Sequence, residues 1–189
     1  MSTDPAHFDR LYAADPDPWG FETSAYEAAK LRACLDLLPE ERFARGLELG
    51  CSIGVMSEAL AARCGRFLGL DTARAAIDRA RARRIANAEF RVAHLPRDWP
   101  DGGWDLIVLS EFLYFLDAED IALTASRVAS SLAPGGTLLL CCWLGPTETE
   151  LDGRAAQSLF VDRLNGIAPF DMTDGHETDA YAASIWRLR

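Results

Sequence analysis

The chain has 189 residues, 49% of them apolar, a length that closes one core and leaves too little for two ordinary domains. Its 29 acidic residues outnumber the 19 basic ones, and a formal charge of -10 repels a phosphate backbone, which excludes nucleic acid as the expected partner. No apolar run reaches the roughly 18 residues that span a bilayer, and MSTDPAHFDR lacks the basic start and apolar stretch of a secretion signal, so a soluble, cytoplasmic protein with no membrane partner is expected.

In chain order, the first 25 residues are rich in Asp and Pro and read as an irregular arm. A helix follows from Ser24 to Leu38, with Ser24 and Glu27 spaced as a capping box. Short apolar runs then alternate with helical patterns, the rhythm of βα units on a parallel sheet. The units are a strand at Gly46 to Leu49, a helix between Gly54 and Gly65, a strand at Arg66 to Asp71 and a helix at Ala73 to Ile85. Five arginines on that last helix (Arg74, Arg79, Arg81, Arg83, Arg84) read as a solvated face, because Ala75, Ala76, Ile77 and Ala80 supply its buried side.

Strands at Glu89 to Leu95 and Trp104 to Ser110 come next, then a helix from Asp117 to Leu132 that Asp117 caps and the Pro134-Gly135-Gly136 turn follows. TLLLCCW is a fifth strand, a helix spans Asp152 to Leu164, and runs at Pro169 to Asp174 and Tyr181 to Leu188 pair antiparallel. The expected fold is a single α/β domain, a Rossmann-like three-layer sandwich with a mostly parallel seven-stranded sheet and an antiparallel C-terminal strand. Residues 1–38 form its arm and first helix.

Five cysteines with no CxxC spacing, and only three histidines, argue against a disulfide framework or a zinc site. Cys141 and Cys142 are adjacent in a strand and point to opposite faces as small buried hydrophobes, with a reactive thiol at Cys142 as the alternative.

Chemistry concentrates in ELGCSIG, Glu48 to Gly54, where a strand turns into a helix. Without side chains at Gly50 and Gly54 a nucleotide-like ligand can approach the backbone, although a turn with no ligand would look the same. The spacing misses the G-x-G-x-x-G of dinucleotide binders and argues mildly against a nicotinamide or flavin. Asp71 ends the neighbouring strand, where a carboxylate can accept both ribose hydroxyls of an adenosine; capping the next helix is compatible with that role. The strand ends around His94, Leu95, Ser110 and Glu111 complete the rim.

The E-x-G-x-x-x-G loop, the acidic end of the second strand, DLIVLSE and the LAPGG turn together resemble the class I S-adenosylmethionine-dependent methyltransferases, over residues 46 to 143. DPDPWGFETSAYEAAKL, SEFLYFL and the tryptophan ending the fifth strand resemble, more narrowly, the nodulation protein S group, N-methyltransferases of amino-sugar oligosaccharides. The resemblance implies S-adenosyl-L-methionine as cofactor and a small-molecule acceptor, an amine before a hydroxyl. It puts Glu48, Gly50, Cys51, Ser52 and Gly54 on the methionine side, Asp71 and Thr72 at the ribose, and His94, Leu95 and Ser110 around the adenine and rim.

Trp19 and Tyr26 would close over the cofactor as a lid, and Glu111 would contact the acceptor with Tyr114 and Trp143 beside it and His176 as a further candidate. Ser52 stands where the family commonly has glycine, which a negative φ would tolerate. His94 replaces a usual acidic residue, and Cys142, Arg154 and Gln157 also depart from the narrower group. A non-catalytic S-adenosylmethionine binder and a nicotinamide-dependent reductase remain as alternatives.

Overall fold

In β4 (Trp104–Ser110), Leu106 and Val108 face one side and Ile107 and Leu109 the other, and all four are buried. A strand apolar on both faces must be covered on both, the condition of a parallel sheet between two helical layers. The computed structural model, which describes residues 1–40 and 42–189, has that arrangement.

β1 (Phe43–Leu49), β2 (Cys64–Asp71), β3 (Ala88–Val92), β4 and β5 (Leu132–Trp143) run parallel, and β7 (Tyr181–Leu188) runs antiparallel between β5 and β6 (Phe170–Glu177). The order is β3-β2-β1-β4-β5-β7-β6. From β1 the chain steps outward through β2 and β3, then returns to lay β4 on the other side of β1. That reversal opens a crevice at the carboxyl ends of β1 and β4, where open α/β sheets collect ligands.

One face carries α2 (Ala25–Leu37), α3 (Val55–Ala62) and α4 (Arg74–Ala82), with Cys34 and Leu60 clustered with Val108 and Cys141, and Ile77 and Ala80 with Phe90. The other carries α5 (Ala118–Ser131) and α6 (Gly153–Asn165), whose Ile121, Val128 and Phe160 meet Ile107, Leu138 and Cys142. Each fully buried side chain of this size is worth about 1.5–3 kcal/mol, so packing rather than intrinsic propensity holds these short helices. Cys141 and Cys142 fall in opposite layers, as strand alternation requires. Burial pushes the Cys142 thiol well up, the opposite of what a reactive thiolate needs.

Four sequence expectations are corrected. The arm is not irregular throughout, because α1 (Pro5–Ala14) lies within it. The Asp4 carboxylate accepts from the Ala6 amide at 2.9 Å, and Pro5 takes the first helical position, where a missing N–H costs nothing. The capping box at α2 is half made: Ser24 accepts from the Glu27 amide, but the Glu27 carboxylate turns to Lys30. β5 starts at Leu132, before the Pro-Gly-Gly segment, because Leu132 still pairs with Trp104 across a register shift. The arginines of α4 are more than a solvated face, since Arg83 bonds Glu22, Glu58 and the Ile53 carbonyl and Arg79 bonds Glu22. Among the described residues, no helix is long and apolar enough to cross a membrane.

Candidate functional site

The turn after β1 is built from left-handed backbone. Gly50 and Gly54 have φ of 74° and 79°. A Cβ on Gly50 would meet the Phe112 ring at 3.3 Å, and one on Gly54 would meet the Ala80 Cβ at 3.0 Å, so glycine serves both conformation and close approach. Ser52 also has a positive φ, 50°, so the condition under which a serine is easily tolerated there is not met. Such a conformation costs a non-glycine residue on the order of 1–3 kcal/mol and persists only where neighbours enforce it.

Two neighbours enforce it here. The Ser52 amide donates to Asp71 Oδ2 at 2.9 Å, and the Ser52 hydroxyl bonds the Tyr12 phenol. The Gly50 and Cys51 amides both donate to the Leu70 carbonyl, which ties the turn to the end of β2. The Cys51 side chain packs with Ile77, Ala80 and Phe90, so toward a ligand this residue offers main chain.

Asp71 divides its carboxylate between two amides, Ser52 on Oδ2 and Ala73 on Oδ1, both at 2.9 Å. Burial raises its pKa while the amides of Ala73, Ser52 and Thr72 work against the rise. With two lone pairs on each oxygen, both retain room for a further donor. Asp71 is not the N-cap of α4, which is Ala73 and has no side-chain cap; it ties the Ala73 amide to the turn and keeps room to hold a ribose. On the same rim, Thr72 Oγ1 lies 2.8 Å from His94 Nδ1, and the His94 amide donates to Asp98. Leu95, next along, packs half-buried against the core on the α5 and α6 side.

Glu48 points under α3 and is almost fully buried, accepting from Ser57 Oγ at 2.5 Å. Burial pushes its carboxyl from 4.5 up to about 8; the Ser57 bond opposes the rise and the charge of Asp71 adds to it.

Tyr12 was not singled out from the sequence, yet it carries α1 onto the turn. Its ring clusters with Ile53, Ala73 and Ala76, and Trp19 leans edge-on against it at 5.6 Å with Phe21 beyond. Trp19 remains 38% exposed, so its contacts brace the arm. The available signal was the PAHFDRLYAA stretch, where Phe8 and Tyr12 share a helical face one turn apart.

Ser110 ends β4 and Glu111 follows it. Glu111 has φ of 54° and accepts three hydrogen bonds: from Lys30 Nζ at 2.7 Å on Oε1, and from the Tyr114 hydroxyl at 2.8 Å and the Trp143 amide at 2.9 Å on Oε2. Burial and the adjoining carboxylate push the Tyr114 phenol far up, so it stays protonated and donates to Glu111. Tyr26, anticipated beside the cofactor, stands edge-on to Trp143 at 6.1 Å and to Tyr181 at 6.2 Å, and burial pushes its phenol up to about 12. His176, exposed on β6, reaches this group only through Tyr181, at 5.7 Å between ring centres. Glu111 and Tyr114 are thus joined directly, while His176 stands at the margin.

A family model described as nodulation protein S (NodS) matches residues 7–143. Nodulation protein S of Rhizobium tropici is 34% identical over 135 residues, covering 69% of this chain and 56% of that protein. Its counterpart from Bradyrhizobium diazoefficiens is 32% identical over 145 residues, covering 74% and 69%. The chain therefore spans between about half and two thirds of the length of these relatives. A crystal structure of the N-methyltransferase NodS from Bradyrhizobium japonicum WM9 with S-adenosyl-L-homocysteine superimposes with a TM-score of 0.78 at 25% identity, covering 97% of both chains.

The elevated Glu48 carboxyl predicts a pH signature. Between about 4.5 and 8 the folded chain holds a proton there that the unfolded chain has released, so this group's contribution to stability is lost as pH rises through that window. In urea titrations between about pH 5 and pH 9, Glu48→Gln, neutral throughout, is expected to lack this component of the decline. Parallel stability curves for the two proteins would contradict it.

Proposed function

The chain belongs to the nodulation protein S family, and from that membership we propose that it is an S-adenosylmethionine-dependent methyltransferase acting on a small polar amine. The observation that carries the reading is the left-handed turn from Gly50 to Gly54 laced to Asp71 at the point where the sheet order reverses. The residues fit such a cofactor. Glycine keeps the turn's backbone approachable, α3 begins at Gly54 with no side-chain cap on its first amides, and Asp71 keeps lone pairs free.

Glu48, Gly50, Cys51, Ser52 and Gly54 would hold the amino-acid end, Asp71 and Thr72 the ribose, and His94, Leu95 and Ser110 the adenine and rim. Residues 1–38 act as a lid, with Tyr12 and Trp19 over the turn and Tyr26 over the acceptor side. When bound, S-adenosylmethionine supplies an electrophilic methyl group, which an acceptor nitrogen takes with its lone pair while the carbon–sulfur pair stays on sulfur and the product ammonium releases a proton to water.

For the protein there remains alignment and exclusion of water. Glu111 has about four lone-pair sites and spends three, so Oε1 can accept one more hydrogen bond, from the acceptor nitrogen. A carboxylate holds an arriving ammonium more strongly than a neutral hydroxyl, and once that ammonium has released a proton its nitrogen carries the lone pair the transfer needs, which supports amine over alcohol. Tyr114 and Trp143 hold that carboxylate in place, and His176 lies where a larger acceptor would extend.

Two outcomes test the reading. Asp71→Ala is expected to weaken S-adenosylmethionine binding at least about tenfold by calorimetry, since charge-assisted hydrogen bonds are worth about 1.5–3 kcal/mol each. An unchanged dissociation constant would leave Asp71 a structural tie between the Ser52 and Ala73 amides alone. Glu111→Gln is expected to bind the cofactor normally and to lose about a hundredfold in methyl transfer to primary amines such as glucosamine, with the wild-type rate falling at low pH. Cofactor binding with no transfer to amines, or faster transfer to hydroxyl acceptors, would overturn the amine assignment.

A further inference from the structure

The acceptor side contains a charged group that the turn and its cofactor do not use. Lys30 lies within α2 and is 6% exposed, an unusual place for an ammonium. Its Nζ lies 2.7 Å from Glu111 Oε1 and 2.9 Å from Glu27 Oε2, and it stands 5.4 Å from the centre of the Tyr26 ring. Burial opposes the ammonium's charge, but the two carboxylates outweigh burial and hold its pKa above the ordinary lysine range. Lys30 therefore stays charged, and its position is set by a residue 81 places away in sequence, across the gap between the α2 lid and the sheet.

We propose that Lys30 is a positioning residue for methyl transfer: carried on α2, its ammonium locks the Glu111 carboxylate against the Tyr114 hydroxyl and the Trp143 amide, leaving one lone pair on Oε1 for the acceptor nitrogen. The role rests on the amine-methyltransferase reading above.

Three features support it. First, the three bonds come from three separate elements, α2, the turn at Leu113–Phe115 and the end of β5, so the carboxylate is fixed only when α2 is seated. Second, Glu111 has φ of 54°, a conformation a glutamate holds only when its surroundings impose it. Third, the charges do not balance. Glu27 and Glu111, each with a 13% exposed side chain, share a single ammonium, and among the described residues neither makes another ion pair. One cationic or N–H donor from outside completes the set, and Lys30 determines which oxygen it meets.

The charged and titratable groups around Glu111 are Lys30, Glu27 and Tyr26 from α2, Tyr114 from the turn, and the Cys141 and Cys142 thiols from β5. Burial raises Tyr26, Tyr114 and Cys142; for Cys141 the bond to Cys34 and then burial do so. All four stay neutral across the working range, so Lys30 is the sole cation of the set.

Three readouts test the role in the full chain: kcat and KM for glucosamine at saturating S-adenosylmethionine, the pH profile of that rate, and the cofactor dissociation constant. Removing a cation in contact raises a carboxyl's midpoint by about 1–3 units. Lys30→Met is therefore expected to move the acid limb of the rate profile up by at least about one unit and to lower kcat about a hundredfold with the cofactor constant unchanged. Lys30→Gln, which keeps a donor without the charge, carries the same expectation should Lys30→Met not fold. Lys30→Arg keeps the charge and is expected to retain the wild-type acid limb and to recover part of kcat.

An unmoved acid limb with intact turnover in the neutral variants overturns the role. Equal loss in Lys30→Met and Lys30→Arg with an unmoved acid limb also overturns it, leaving a packing residue. A wild type that methylates no amine overturns the amine reading and this role together, whereas a wild type active on glucosamine beside an unaffected Lys30→Met overturns this role alone.

Discussion

The candidate site depends on the Asp71 carboxylate, which is buried at the end of β2 and shared between the amides of Ser52 and Ala73. Burying a carboxylate is costly unless donors surround it. Here the donors are main-chain groups from two elements, so the charge that is expensive to bury also fixes the turn after β1 to the start of α4. Each charge-assisted bond is worth about 1.5–3 kcal/mol, enough to offset the roughly 1–3 kcal/mol that Ser52 incurs at φ of 50°. A glycine in place of Ser52 would relieve that strain but lose the hydroxyl that bonds Tyr12, and with it a link between α1 and the turn.

The same economy of placement recurs around Glu111. Lys30 and Glu111 form an ion pair in which neither side chain is much exposed, and such pairs repay desolvation only when further hydrogen bonds satisfy the charges. Glu27, the Tyr114 hydroxyl and the Trp143 amide provide them. Both halves of the crevice are thus closed by a side chain of the N-terminal helices: Tyr12 of α1 reaches the turn, and Lys30 of α2 reaches the end of β4. Coupling through the arm is reinforced by Glu22, which bonds both Arg79 and Arg83 of α4. These last pairs are exposed and worth about 0–1 kcal/mol each, so they orient the arm more than they stabilise it.

What was legible in the sequence follows from what is local. Strand alternation in DLIVLS and TLLLCCW predicts both buried faces and the opposite placement of Cys141 and Cys142, and Asp117 announces α5 as its N-cap. The Gly50, Gly54 and Asp71 set was legible because conformation and charge there are properties of single residues. α1 was not, because Asp and Pro lower helix propensity on average while favouring its first turn, and because the packing of Tyr12 on Ile53 and Ala73 lies far along the chain. The positive φ of Ser52 and the partners of Glu27, Arg83 and Glu111 were hidden for the same reason: each is settled by a residue brought close only by the fold.

The account makes Asp71 both the structural tie and the ribose contact, and one structure of the protein crystallised with S-adenosylhomocysteine tests this directly. The expected result has the ribose hydroxyls within hydrogen-bond distance of Asp71, with the Ser52 and Ala73 amides still bound to it and Ser52 still at positive φ. A ligand seated away from the Gly50 to Gly54 turn, or one in that crevice that leaves Asp71 with its two amides alone, would contradict it.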